Sequence, residues 1–352
     1  DVNGHIASSS TASALAESAF VNNKLTAKLN RQLEEPMIVA SACLPAWSTD
    51  LPKHFPFLFP FEARFAFLQS TSFGYARLLT RWQALHSRSQ EPGSSSSSRL
   101  DDSFGFLGRL QRQKVRISRG NLLASAFKVF ELYGSNSSVL EVEYFEEVGT
   151  GLGPTLEFYS LVSKEFARRD LKLWRDSRAG GSDEDGSQYV FSPLGLFPAP
   201  LLTEGDQGKT ASDGSSSEAA GSVQKRLQAF RILGQFVAKA LLDSRIIDCN
   251  FSPVFMGAVL NQHVAPTLAT LSCVDPTLAR SLASMRKMPA DEVESLGLDF
   301  TLPGYESIEL HAGGRDETVT GANVERYISE VLDMTLHKGI RAAVRAFRQG
   351  FN

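Results

Sequence analysis

From Val139 to Phe145 the chain alternates apolar and acidic residues, the period of a strand with one face turned inward. Three glycines follow at alternate positions, Gly149, Gly151 and Gly153, and Pro154 then stands where a first helical residue tolerates proline. From Pro154 to Arg169, Leu156, Tyr159 and Phe166 recur at helical spacing, and Arg168 and Arg169 suit the negative end of a helix dipole. Upstream, Ser118 caps a predicted helix with Leu122, Phe127, Phe130 and Tyr133 near one face and Gly134 as its stop. Downstream, Leu227, Phe230, Leu233, Val237 and Leu241 give Val223 to Ser244 an apolar face broad enough for a buried helix. Ser252-Pro253 opens another helix reaching about His263. Asp275-Pro276 opens a further one, with Leu278, Leu282 and Met285 at i, i+4 and i+7.

The texture then changes. Asp299 to Leu302, Ser307 to Leu310 and Glu317 to Val319 read as short extended pieces joined by Pro-Gly and Gly-Gly turns. Thr320 caps a last helical region with Val324, Tyr327, Ile328 and Val331 inward, and Gly339 breaks it before Ile340, Val344 and Phe347. The pattern predicts an α+β fold, predominantly α-helical, with a small mixed α/β subdomain near the C-terminal end.

Composition fills in the boundaries. Residues 1–19 are rich in Ser and Ala and read as disordered, and 90–98 hold five consecutive serines and read as a linker. Residues 178–187 and 203–222 are low-complexity insertions of the kind a scaffold tolerates on its surface. A formal net charge of −3 over 352 residues argues against a nucleic-acid partner. No apolar run approaches the roughly 20 residues of a membrane helix, and no secretory leader is visible. The first residue is Asp, which suggests a fragment or a processed product. Cys43, Cys249 and Cys273 form no CxxC pair, and the six histidines form no HExxH. A reducing compartment, no metal and no cofactor are the expectations.

Strand, glycine turn and helix are also the context of a phosphate-binding loop. The glycine block departs from that chemistry. The third glycine of a dinucleotide fingerprint would fall at position 154, which is proline and has no N–H to offer; no Gly-Lys-Ser/Thr follows. The block reads as a structural turn.

Its wording says more. Glu147-Val-Gly-Thr-Gly-Leu-Gly-Pro-Thr-Leu-Glu-Phe158, continuing Tyr159-Ser-Leu-Val-Ser163, closely resembles the amino-terminal lobe of HECT-type ubiquitin ligases, in their ubiquitin-fusion-degradation and KAKTUS-like branch. Phe20 to Leu33 and Pro56 to Phe61 resemble the segment preceding that lobe. Phe230 to Ala240 resembles its central helix, Leu296 to Gly304 and Ile308 to Gly314 its small subdomain, and Phe347 to Phe351 its last helix. The resemblance implies a pre-lobe segment over 20–110, the lobe over 111–352, and a small conjugating-enzyme-binding subdomain at about 264–336. The branch often carries a charged insertion where Met285-Arg-Lys-Met-Pro-Ala290 here joins the halves of that subdomain directly.

The activity so implied is a two-step acyl transfer. A cysteine thiolate takes ubiquitin from a conjugating enzyme as a thioester, and a substrate lysine then attacks it. In the family that cysteine lies in a separate carboxy-terminal lobe, in a Thr-Cys context absent here, so the nucleophile is expected beyond Asn352 and no catalytic residue within the chain. What remains is docking. The resemblance places Leu278 and Leu282 on one wall of an apolar groove for the conjugating enzyme and Tyr327 and Val331 on the other, with Met285 able to widen it; spacing alone reads the same residues as core. The implied partners are a ubiquitin-conjugating enzyme, ubiquitin and protein substrates, in the cytoplasm and/or nucleus. The alternative is a non-catalytic module that recruits a conjugating enzyme.

Overall fold

The computed structural model describes residues 17–87, 110–177, 187–203 and 216–352, without the side chains of 17, 75, 83–87 and 216–219. The linker 90–98, most of both insertions and residues 1–16 lie outside the described residues. Within the stretch expected to be disordered, Glu17–Phe20 forms a 3-10 turn. Among the described residues fourteen α-helices accompany four short strands, so helix dominates.

The chain contacts divide into two compact units, residues 1–113 with 137–139, and 114–136 with 140–352. The first holds α1 (Asn23–Leu33), α2 (Pro36–Ala40), α3 (Ala46–His54), α4 (Phe61–Ser72) and α5 (Tyr75–Ser87). Asn22 starts α1: its side-chain oxygen accepts from the Leu25 amide at 3.1 Å. Leu25, Leu29 and Leu33 recur every fourth residue, and Leu29 meets Phe59, Ala63 and Phe67 in a small core.

The second unit takes in most of β1 (Arg112–Ile117) and of β2 (Val139–Tyr144), which pair with each other and are connected by the helix α6 (Leu122–Tyr133). Phe145 N donates to Ile117 O at 2.9 Å, and Arg116 pairs with Glu143, so both strands run in one direction. Ser118 opens a 3-10 turn over Arg119–Asn121 instead of capping α6 directly; Gly134 does end it. The glycine turn leads into α7 (Leu152–Glu165), which begins two residues before Pro154. Proline is tolerated there because the first-turn amides have no intrahelical acceptor. Gly151, at φ 87° and ψ −139°, occupies a region closed to side-chain-bearing residues. Thr155 ties the turn together: its hydroxyl accepts from Val142 N at 2.9 Å and donates to Gly151 O at 2.8 Å.

The central helix α8 (Ser216–Leu242) starts earlier than Val223, within the segment expected to be insertion up to 222. Phe230, Leu233 and Phe236 are fully enclosed, and Phe236 touches Phe130, Tyr159 and Phe166 at ring distances of 5.4, 5.4 and 5.7 Å. The last turn of α8 carries a buried ion pair, Lys239 with Asp243 at 3.8 Å. Lys239 donates to Asn136 O at 2.7 Å, and Asp243 accepts from Leu140 N at 3.1 Å. The chain's last helix, α14 (Arg341–Phe351), lies against α8 so closely that a Cβ on Gly234 would sit 2.1 Å from Phe347 O and one on Gly350 1.8 Å from Arg231 O. The remaining elements are α9 (Pro253–Val259), α10 (Leu268–Ser272), α11 (Pro276–Met285), α12 (Ala290–Ser295), β3 (Thr301–Leu302), β4 (Tyr305–Glu309) and α13 (Val324–Leu336).

Candidate docking site

The C-terminal subdomain is built on Phe300. Its ring meets Tyr327 at 5.4 Å and His311 at 5.1 Å, both edge-on, and the Arg326 guanidinium lies 4.8 Å from its centroid. Phe300 N donates to Gly314 O, and Leu310 N donates to Phe300 O, closing the loops around the ring. β3 and β4 pair antiparallel, with Thr301 opposite Glu309; the expected third strand is reduced to a bridge between Asp299 and Thr318. Asp275 caps α11 as its sequence suggests, accepting from Leu278 N at 2.9 Å. At the far end Arg286 forms a two-bonded pair with Glu325 at 2.8 and 2.7 Å, fastening α11 to α13.

One outer face is a network of charge. His311 lies 2.7 Å from Glu330 and 3.0 Å from Glu317, and Arg326 pairs with both carboxylates. The Arg326 hydrogen bond holds the Glu317 carboxyl below the ordinary carboxylate range. Sequence reasoning did not find this network, because its members are polar residues on three different elements. Among the described residues no cluster of His, Cys, Asp or Glu is arranged to hold a metal ion.

Of the four residues expected to wall the groove, the structure buries three: Leu282 is 1 %, Tyr327 2 % and Val331 0 % exposed. They occupy the core, as their spacing alone suggests, and Met285 lies with them. Burial, with the charge of Asp299 adding to it, pushes the Tyr327 hydroxyl up to about 12. Leu278 is only half-buried and is the member of the four that keeps side-chain surface. Exposed Leu296 and Met288 belong to the same subdomain and carry no sequence signal beyond being apolar.

Among the described residues, no basic side chain is bonded to any of the three cysteines. Cys43 and Cys273 are exposed, and their thiols donate to the backbone oxygens of Ser41 and Ala269. Burial pushes the Cys249 thiol up to about 11, against a smaller lowering from Ser163. Among the described residues, the cation at the glycine turn is not free for a phosphate. Arg119 there is bonded to both Glu147 and Glu157 and lies 3.9 Å from the centre of the Tyr144 ring.

Residues 160–352 match the model of the HECT-domain (ubiquitin-transferase) family. Over 95% of its length the chain is 43% identical to ubiquitin fusion degradation protein 4 of Saccharomyces cerevisiae, and covers 22% of that protein. It is 39% identical to E3 ubiquitin-protein ligase UPL3 of Arabidopsis thaliana over 98% of its length, covering 19% of that protein. It is 35% identical to E3 ubiquitin-protein ligase TRIP12 of Danio rerio over 94% of its length, covering 17%. The chain thus spans about a fifth of the length of these relatives.

Proposed function

Because the chain belongs to the HECT-domain (ubiquitin-transferase) family, we propose that it is the amino-terminal-lobe part of a cysteine-dependent ubiquitin-protein ligase, and that its task is to dock the conjugating enzyme. Ubiquitin arrives as a thioester on that enzyme, passes to a cysteine of the ligase outside this chain, and ends on substrate lysines, in the cytoplasm and/or nucleus. The observation that carries this reading is the family match running through the subdomain in which α11 presents Leu278. Leu278 supplies an apolar contact, and Leu282, Tyr327 and Val331 hold its helix in place from beneath. The surroundings of Cys43, Cys249 and Cys273 support placing the nucleophile elsewhere. They equally favour the second reading, a non-catalytic module that recruits a conjugating enzyme.

Leu278→Asp tests the docking role by calorimetry against a panel of conjugating enzymes. Loss of about tenfold or more in affinity is expected, with the melting transition retained. Unchanged affinity in a folded variant overturns the assignment. With activating enzyme, conjugating enzyme and ubiquitin, the chain should show no reducible ubiquitin adduct on a non-reducing gel. An adduct on any of its three cysteines refutes the placement of the nucleophile.

A further inference from the structure

The docking helix α11 is tied to the rest of its unit by a residue 100 positions upstream: Arg175 Nη2 donates to Asp275 Oδ2 at 3.2 Å. The two side chains are 13 % and 30 % exposed, so the pair is less screened than one on the open surface. Asp275 serves two partners at once, because its other oxygen, Oδ1, accepts from Leu278 N at 2.9 Å and caps α11. The Arg175 guanidinium also lies 5.3 Å from the centre of the half-buried Tyr305 ring on β4. One side chain thus touches both halves of the docking subdomain, the helical half through Asp275 and the strand half through Tyr305.

The backbone of Arg175 is itself held. Its amide donates to Phe197 O at 2.8 Å, and its carbonyl accepts from the Ser192 hydroxyl at 3.1 Å. The preceding residue, Trp174, is buried in the core; its Nε1–H donates to Phe166 O at 2.8 Å, and its ring packs edge-on against Phe230 of α8 at 5.3 Å. A guanidinium fixed at its base and bonded at its tip to the start of α11 restrains the direction in which that helix points. The restraint reaches Leu278 directly, because the carboxylate that Arg175 holds is the one that holds the Leu278 amide.

We propose, on the footing that Leu278 docks the conjugating enzyme, that Arg175 is a positioning residue: through Asp275 it sets the orientation in which α11 presents Leu278. Without the pair, α11 samples orientations that do not fit the partner, and apparent affinity falls with the fraction of molecules left in the fitting one. A fall of that fraction to between about a third and a tenth weakens binding about three- to tenfold. The effect is separable from the helix cap. Asp275→Asn removes the charge and keeps the cap, since asparagine accepts from the same amide as well as aspartate does. It is also separable from a lost contact. Truncating a contact speeds dissociation, whereas a scarcer fitting orientation slows association and leaves dissociation unchanged.

The test uses the conjugating enzyme of the panel that binds the chain most tightly, by calorimetry and stopped-flow mixing well below the melting transition. Arg175→Gln and Asp275→Asn should each weaken binding about three- to tenfold through slower association, and the double variant no more than either alone, because both remove one pair. The two substitutions change net charge in opposite directions, so equal slowing by both excludes electrostatic steering. Arg175→Lys, which keeps the charge, should recover most of the affinity. Arg119→Gln, which breaks the pairs at the glycine turn, should leave it unchanged. Leu278→Asp, run alongside, separates the two readings. If it loses affinity while Arg175→Gln does not, the positioning role is overturned and docking stands; if it retains affinity, docking falls and the positioning role with it. Additive losses in the double variant, faster dissociation in place of slower association, no recovery in Arg175→Lys, or an equal loss in Arg119→Gln also overturns the proposal. Should Arg175→Gln melt early, Asp275→Asn and Arg175→Lys decide by the same criteria.

Discussion

Replacing Tyr327 with alanine separates a core residue from a docking residue. The side chain is 2 % exposed, and its ring packs edge-on against Phe300 at 5.4 Å. The exchange takes away about 100 Å² of buried apolar surface, worth ~2.5 kcal/mol at 25 cal/mol per Å². The lost aromatic pair adds about 1 kcal/mol, and the unfilled cavity beside Phe300 about 1 more. The total of about 4–5 kcal/mol is a large fraction of the 5–15 kcal/mol that roughly stabilises a domain. Urea unfolding followed by tryptophan fluorescence and far-ultraviolet dichroism should show the midpoint fall steeply for Tyr327→Ala. Tyr327→Phe, which keeps the ring, should stay within about 1 kcal/mol of the parent. A Tyr327→Ala variant that unfolds within about 1 kcal/mol of the parent and yet loses conjugating-enzyme binding would refute the reasoning. Tyr327 would then be a contact residue, reached through an opening of the subdomain.

Two further outcomes follow from local geometry. Gly151→Ala should cost about 1–3 kcal/mol in the same unfolding assay, because the strain lies in the backbone and nothing stands within 4 Å of the added Cβ; Gly153→Ala, equally uncrowded and inside the first turn of α7, should be neutral or gain up to about 1 kcal/mol. The Cys249 thiol, raised in the fold to about 11, should stay unreactive to iodoacetamide at pH 9 while Cys43 and Cys273 are alkylated. With its folded value above the unfolded one, Cys249 contributes stability that is complete below about pH 8.5 and is lost as pH climbs toward 11; denaturation midpoints across that window read the loss, and alkylation of Cys249 as fast as Cys273 contradicts it.

Much of the fold is legible along the chain. The apolar period of Leu227, Phe230, Leu233, Val237 and Leu241 marks the central helix, and Asp275-Pro276 marks the start of α11, since capping and periodicity are local properties. Helix starts are less so. Pro154 is inside α7 because the whole first turn lacks amide acceptors, and α8 extends back into a segment whose composition reads as insertion. The short α10 and α12 were invisible: Leu268–Ser272 and Ala290–Ser295 are too brief to show a period.

The candidate sites divide the same way. By itself the sequence determined the family, through ordered blocks such as Glu147 to Phe158 and Phe347 to Phe351, and the mainly helical class. It also determined that the glycine block is a turn, because a proline cannot donate to phosphate. Tertiary structure alone decided which side of an amphipathic stripe is covered. Leu278 and Leu282 lie one turn apart on α11, yet one is half-buried and the other sealed. It also brought Arg175 to 3.2 Å from Asp275, 100 residues further along the chain. Periodicity reports which residues share a face of one helix. What that face meets depends on the packing of other helices, a non-local free energy that no window of sequence contains.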